Sequence, residues 1–130
     1  MRNISIFLLL FICFSCTEPY PESITTEFNI INNSGVNISL VLYQVPNDTI
    51  EISTDGVYSN KFHGRGIAIP FSCDSLGVIF NSKKKKVFKW LDSSVRNPLL
   101  LESYTKTEIN KYHYTFEYVF IEQDYLNVTN

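Results

Sequence analysis

The sequence predicts one all-β domain, and two observations lead to this expectation. Segments that alternate apolar and polar residues recur along the chain, and turn-forming clusters separate them at intervals of roughly 8–12 residues. The composition agrees, because 8 Tyr and 10 Phe among 130 residues favour strands. A hydrophobic share of 45% is sufficient for a packed core and argues against a disordered chain.

The first two strands are expected at residues 27–31 and 36–43. Phe28 and Ile30 share one face of the first segment, and the second alternates apolar and polar residues strictly along its length. Between them lies Asn-Asn-Ser-Gly at 32–35, which is typical of a tight turn because Gly accepts a positive φ. We therefore expect the two strands to pair as a hairpin.

The middle of the chain predicts five short strands, at residues 49–53, 57–62, 67–71, 76–80 and 87–91. Clusters of Pro, Asn, Asp, Gly and Ser separate them, and Asn81-Ser82 with the following lysines forms the last of these turns.

The clearest strand covers residues 112–120. Its even positions are all aromatic and its odd positions are mostly polar; the aromatic row is Tyr112, Tyr114, Phe116, Tyr118 and Phe120. We expect this row to face the core, with Phe116 the most buried; the alternative is a stacking platform for sugar rings. In the preceding stretch 92–110 the strand pattern weakens, and 99–101 is expected to plug the core from a loop.

These segments together favour a single antiparallel β-sandwich, immunoglobulin-like or similar, with a small β-barrel as the alternative. The tail at 121–128 is compatible with one helical turn or a final extension.

The N-terminus predicts export. A basic start, Met1-Arg2-Asn3, precedes an almost purely apolar stretch at 4–14. Such a stretch is about 16 Å long as a helix, whereas a bilayer core of about 30 Å requires roughly 20 residues. It therefore fits the apolar region of a signal peptide and not a transmembrane span.

The apolar stretch runs directly into Ser15-Cys16, after which the sequence turns polar at once. Ser15-Cys16 resembles the lipobox of bacterial lipoproteins, and the whole chain loosely resembles small Gram-negative lipoproteins. The resemblance implies a signal peptide at 1–15, lipid on Cys16, a tether at 16–23 and a β domain at 24–130. Thr17 after the cysteine implies the outer membrane, facing the periplasm or the cell surface. Plain secretion with a free Cys16 is the alternative.

The sequence shows no catalytic or metal-binding motif. His63 and His113 are fifty residues apart and no Cys-x-x-Cys or His-x-His pattern accompanies them, so neither zinc nor another cofactor is expected. Cys73 remains as a lone thiol and is expected to be a partly buried apolar residue. The protein is therefore not expected to be an enzyme; an unrecognised active site would require a pocket that holds Asp74, His63 or His113.

The net charge of -2 argues against nucleic acid as a partner. The run Lys83, Lys84, Lys85 and Lys86 stands out in an otherwise acidic chain, and we expect it at a solvated hairpin tip. Its functional interpretation is attraction to anionic headgroups or polysaccharide. The leading hypothesis is a membrane-anchored, non-enzymatic binding or structural domain of the envelope, with an envelope protein or polysaccharide as possible partners. The alternative is a carbohydrate-binding accessory module.

Overall fold

The computed structural model describes residues 23–93 and 96–128. Within them the chain forms eight strands, a single 3₁₀ turn at Leu101–Ser103 and a short helix, α1, at Glu122–Leu126. The strands are β1 (Ile24–Asn33), β2 (Ile38–Tyr43), β3 (Asp48–Ile52), β4 (Val57–Gly64), β5 (Ser75–Phe80), β6 (Lys84–Lys89), β7 (Thr105–Asn110) and β8 (His113–Ile121).

The strands make two four-stranded sheets, and neither sheet closes on itself. The first sheet has the order β4-β1-β8-β7 and the second has the order β3-β2-β5-β6. All neighbours are antiparallel except β1 and β8, which run parallel at the centre of the first sheet. The expected all-β fold is therefore confirmed.

One hydrophobic cluster contains the inward rows of both sheets. The alternation seen in the sequence explains this, because every second residue of β1, β2, β5 and β8 is buried. Phe80 at the end of β5 meets Phe120 near the end of β8 edge-on, with ring centroids 6.0 Å apart. Each such large side chain stabilises the fold by about 1.5–3 kcal/mol when fully buried.

The expected hairpin between the first two strands is wrong, because β1 and β2 belong to different sheets. The cause lies in Asn32, whose fully buried side chain holds the connecting segment. Its Nδ2 donates to the carbonyl oxygens of Val36 at 2.8 Å and Ser53 at 2.9 Å, and its Oδ1 accepts from Ser34 Oγ at 2.6 Å. These bonds fix the segment in which the chain crosses from the first sheet to the second.

Two other expectations about strands are wrong. Residues 67–71 belong to the irregular connection between β4 and β5, where Pro70 lacks the N–H that a sheet requires. Conversely, β7 lies in the stretch 92–110, where none was expected. All six residues of β7 are exposed, so the strand carries no apolar alternation. The expected plug at 99–101 is present in Leu99, which is fully buried.

The aromatic row of β8 faces the core over most of its length. Phe116, Tyr118 and Phe120 are buried, Tyr114 is partly buried, and Tyr112 at the edge is 36% exposed. Burial deepens toward the C-terminal end of the strand, so Phe120 at 1% is more buried than Phe116 at 4%. Phe116 is thus a core residue, but the expectation that it is the most buried of the row is wrong. The row is covered best where Phe80 packs on Phe120.

The domain has two distinct ends. At the first-strand end, β1 and β8 begin and β4 ends, and in the other sheet Tyr43, Ser75 and Lys89 pair in one row. At the opposite end, which we call the helix end, α1 follows β8 beside Phe80. The connections at 32–37 and 53–56 also lie there.

Candidate functional site

A cavity of about 250 Å³ lies beside α1 and extends along β6 as far as Phe88. Both sheets, α1 and the segment before Asn97 contribute to its wall. The residues around it are Phe80, Lys86, Phe88, Arg96, Tyr118, Phe120, Asp124 and Asn127. Aromatic rings thus form the body of the cavity, and a few polar groups stand among them, which is the usual composition of a small-ligand site.

Arg96 and Asp124 fasten the helix beside the cavity. Arg96 Nε donates to Asp124 Oδ1 at 2.8 Å, and Nη2 donates to Oδ2 at 2.5 Å. The same Nη2 donates to the carbonyl oxygen of Val119 at 2.6 Å, and Asp124 Oδ2 accepts from the amide of Ile121 at 2.9 Å. The bidentate geometry fixes both side chains and neutralises the guanidinium charge locally.

Tyr118 forms a wall of the cavity and stays un-ionised. Burial, and to a lesser extent the carboxylate of Asp124, raises the pKa of its phenol, although Arg96 opposes this. Its hydroxyl donates to the carbonyl oxygen of Arg96 at 3.1 Å, and the guanidinium carbon of Arg96 lies 5.4 Å from its ring centroid. Tyr118 therefore offers the cavity an apolar face and a neutral hydroxyl that already has a partner.

Lys86 is the cation of the cavity that lacks a carboxylate. In β6 it pairs with Val78, which places it on the same side of the strand as the buried Phe88. Its Nζ lies 4.7 Å from the centroid of the Phe88 ring, and no ion pair joins it to any acidic residue within 23–93 or 96–128. The positive charge is thus available to a ligand.

The four lysines predicted to form one basic cluster are separated by the pleat of β6. Lys83 follows Asn81 and Ser82, whose φ values of 50° and 56° are those of a tight turn, and the amide of Lys83 donates to the carbonyl oxygen of Phe80 at 3.0 Å. Lys84, Lys85 and Lys86 belong to the strand itself and not to its tip. Lys84 and Lys86 share the inner side, where Lys84 Nζ lies 4.7 Å from the Tyr125 ring centroid.

Lys85 points to the other side of the sheet, where its Nζ lies 5.1 Å from the centroid of the Tyr43 ring. The sequence showed only a run of like charges, and the single cavity lysine becomes evident from strand parity. Inward-pointing lysines on an edge strand also discourage pairing with other sheets.

The histidines, which sequence analysis left apart, come together on the outer face of the first sheet. Thr25 of β1 pairs with His63 on one side and with His113 on the other. His63 Nδ1 lies 3.0 Å from Thr25 Oγ1, and His113 Nε2 lies 3.8 Å from Glu27 Oε2. In the part of the chain that the structure describes, no group of three or more His, Cys, Asp or Glu residues is placed to hold a metal ion. Neither histidine, nor Asp74, lines the cavity.

The remaining sequence-predicted sites lie elsewhere. Cys16 is outside the described residues. Cys73 is half-buried, and burial raises the pKa of its thiol, so it stays protonated; its carbonyl oxygen accepts a hydrogen bond from Trp90 Nε1 at 2.7 Å. Among the helices that the structure describes, none is long and apolar enough to cross a membrane.

Comparison with known protein families, with curated proteins and with solved structures finds no match to this chain.

Proposed function

We propose that the protein is a lipid-anchored, non-enzymatic binding domain of the bacterial envelope, and that its cavity takes a small anionic ligand with an apolar body. The observation that carries the ligand class is Lys86, a cation without a carboxylate beside a cavity walled by aromatic rings. The other cation of the cavity, Arg96, already has Asp124 as its partner.

The anchor is proposed from the sequence. An apolar stretch that ends at Ser15-Cys16 without a polar spacer favours a lipoprotein signal, and Thr17 favours the outer membrane. Acyl chains on Cys16 would bury many methylenes at about 0.8 kcal/mol each, which gives stable attachment. The first strand begins at Ile24, so the anchor would lie at the first-strand end and α1, which borders the cavity, at the opposite one.

We further propose that the two sheets form a β-sandwich and not a barrel. Both sheets have two free edges, and inward residues of each contribute to a single core cluster. The cavity lies between the two sheets, since Phe80, Lys86 and Phe88 of one sheet and Tyr118 and Phe120 of the other line it.

The size and lining of the cavity narrow the ligand further. A cavity of about 150 Å³ lined by apolar residues can accommodate benzene. The cavity here, about 250 Å³, therefore suits a single ring with a short acidic group. The ring would lie against Phe88 and Phe120, and the acidic group would meet Lys86.

A carbohydrate-binding role has weaker support. The aromatic row that suggested an open sugar platform is buried from Phe116 to Phe120, and of these three rings only Tyr118 and Phe120 reach the cavity. Lys83 and Lys85 remain on the surface, but they lie apart from the cavity.

The proposal is tested by titrating the mature protein, in lipid nanodiscs, with benzoate and with benzyl alcohol. Benzoate is expected to bind and the neutral alcohol to bind much more weakly. Lys86→Met should weaken benzoate binding by about tenfold or more, since a charged hydrogen bond contributes roughly 1.5–3 kcal/mol. Lys85→Met removes the same charge from the opposite side of the same strand and should leave binding unchanged. Equal losses in the two variants, or no binding of benzoate, would contradict the proposed ligand class.

A further inference from the structure

We infer that the first-strand end of the domain rests on the lipid bilayer, with Val45 and Leu91 inserted among the headgroups. This inference deepens the proposed function and rests on its lipid anchor at Cys16. It assigns the bilayer surface as the partner of a set of apolar side chains that are exposed and do not belong to the core.

Exposed apolar side chains are concentrated at the first-strand end. Val45 and Leu91 are 101% and 96% exposed, which is the extreme for large hydrophobic residues. Of the ten exposed large hydrophobic residues in the part of the chain described, six lie at this end: Val45, Ile67, Ile69, Leu91, Ile109 and Tyr112. Exposed apolar side chains that lie together, unlike those scattered singly, mark a contact with a protein or a membrane.

Backbone pairing places Val45 and Leu91 on neighbouring loops. β2 ends at Tyr43 and β6 ends at Lys89, and both residues pair with Ser75 of β5, which lies between them. The amide of Asp74 also donates to the carbonyl oxygen of Tyr43 at 2.9 Å. The loops that follow β2 and β6 therefore project from the same end of the second sheet.

A hydrogen bond closes each of the two loops whose tips expose Val45 and Leu91. The amide of Gln44 donates to Asn47 Oδ1 at 3.2 Å across the loop that carries Val45. The amide of Lys89 donates to Asp92 Oδ2 at 3.0 Å across the turn that carries Leu91. Each bond gives one backbone amide of its loop a partner within the loop.

The position of the anchor brings this end to the membrane. Only residues 17–23 separate Cys16 from Ile24, the first residue of β1. Cys16 and Ile24 are thus eight residue steps apart, which span at most about 29 Å when fully extended, at roughly 3.6 Å each. The first-strand end is thus held within that distance of the headgroups.

The charges of these loops favour insertion through apolar contact. The loops at 44–47, 65–74, 90–93 and 111–112 carry Arg65 and Lys111 against Asp74 and Asp92, which is an even balance. A surface that bound anionic headgroups by charge would show an excess of Lys and Arg. We therefore expect the contact to form on a zwitterionic bilayer and to be insensitive to salt.

The experiment uses the full lipoprotein in phosphatidylcholine vesicles, with Cys73→Ala to remove the remaining thiol. Single cysteines replace Val45 or Leu91 and carry an environment-sensitive fluorophore. Val57→Cys and Leu126→Cys serve as controls, because these two residues are also exposed apolar positions but lie at the helix end. Circular dichroism confirms that each variant is folded, and incorporation of a fatty-acid probe reports the anchor separately.

We expect labels at positions 45 and 91 to shift their emission to the blue, to be quenched by brominated lipid and to lose quenching by aqueous iodide. Labels at 57 and 126 should show the reverse. A lipidated protein whose four labels are equally accessible to iodide would overturn the docking while leaving the anchor intact. Shielding at 45 and 91 that depends on protein concentration and not on brominated lipid would instead indicate a second copy of the chain. A chain without lipid would overturn the anchor, and the docking with it.

Discussion

Arg96 and Asp124 connect the segment before Leu99 to the C-terminal helix by two parallel hydrogen bonds of 2.8 and 2.5 Å. The helix has five residues, too few to be stable through its own hydrogen bonds. Its position beside the cavity therefore depends on this pair and on the packing of Tyr125 against Phe80, with ring centroids 6.0 Å apart.

Arg96→Met is expected to loosen the helix without unfolding the domain. The pair is partly exposed, so solvent screening limits the loss of unfolding free energy to about 1 kcal/mol. Amide hydrogen exchange should increase in α1 and remain low in β1 and β8. Lys111→Met removes a positive charge far from the helix and serves as the control. Unchanged exchange in α1 would show that Tyr125 alone holds the helix.

Tyr104 and Tyr118 are expected to make the stability fall at alkaline pH. Burial raises the pKa of both phenols in the folded state, whereas in the unfolded chain they ionise near pH 10. Their contribution is complete below about pH 10, and it is lost as the pH rises above that value, because only the unfolded chain releases the protons.

The measurement is urea unfolding between pH 8 and about pH 11, a range set by the ordinary tyrosine pKa. Tyr118→Phe should flatten the decline, although it also removes the hydrogen bond to the carbonyl oxygen of Arg96. Tyr112→Phe, at an exposed position, should leave the slope as it is in the wild type. A decline that is equally steep in the Tyr118 variant would contradict this assignment.

Sequence periodicity identified the strands that bury one face, and it failed where burial is absent or where pairing is long-range. β8 was evident because its even residues are aromatic, whereas β7 was missed because all its residues are exposed. The assignment of β1 and β2 to different sheets depends on buried bonds of Asn32 that span 20 residues or more, which no local pattern reveals.

The candidate site could not be predicted from the sequence either, because long-range contacts assemble it. The sequence shows Lys86 only as one of four consecutive lysines. That Lys86 and Lys85 point to opposite sides of the sheet follows from their pairing with Val78 and Ile79 of β5. Arg96 and Asp124 are 28 residues apart and belong to no motif. Long-range packing alone brings these groups to one cavity.

Asn32→Ala is expected to be strongly destabilising, since it removes a buried side chain that bonds to several backbone groups. The carbonyl oxygens of Val36 and Ser53 would lose their donor inside the protein, and each unsatisfied group costs about 1–3 kcal/mol. We expect a total loss of roughly 2–4 kcal/mol in urea unfolding. Asn33→Ala, at the exposed neighbouring position, should change the stability by less than about 0.5 kcal/mol. Similar values for the two variants would show that the turn does not depend on Asn32.

Phe116→Ala should cost about 3–5 kcal/mol of unfolding free energy, as for other core Phe residues. Its ring stacks on Phe28 with centroids 5.3 Å apart, and β1 and β8 are joined at this point. Glu117→Ala, on the outer face, should cost less than about 0.5 kcal/mol. Denaturant unfolding of both variants tests the orientation of the row. A near-neutral Phe116→Ala that weakens binding to a glycan array would restore the sugar-platform hypothesis.

Cys16→Ser is expected to leave an unprocessed precursor, because the variant lacks the thiol that would accept lipid. The variant should keep residues 1–15, which mass spectrometry detects, and should not incorporate a fatty-acid probe. Cys73→Ser is the matched control, since Cys73 is a half-buried thiol of the β domain, and it should be processed and labelled as the wild type is. A mature, soluble Cys16→Ser protein would show that an ordinary signal peptidase cuts the chain. The proposal of a lipid anchor would then be wrong, whereas the proposal that benzoate binds near Lys86 is tested separately by its own titration.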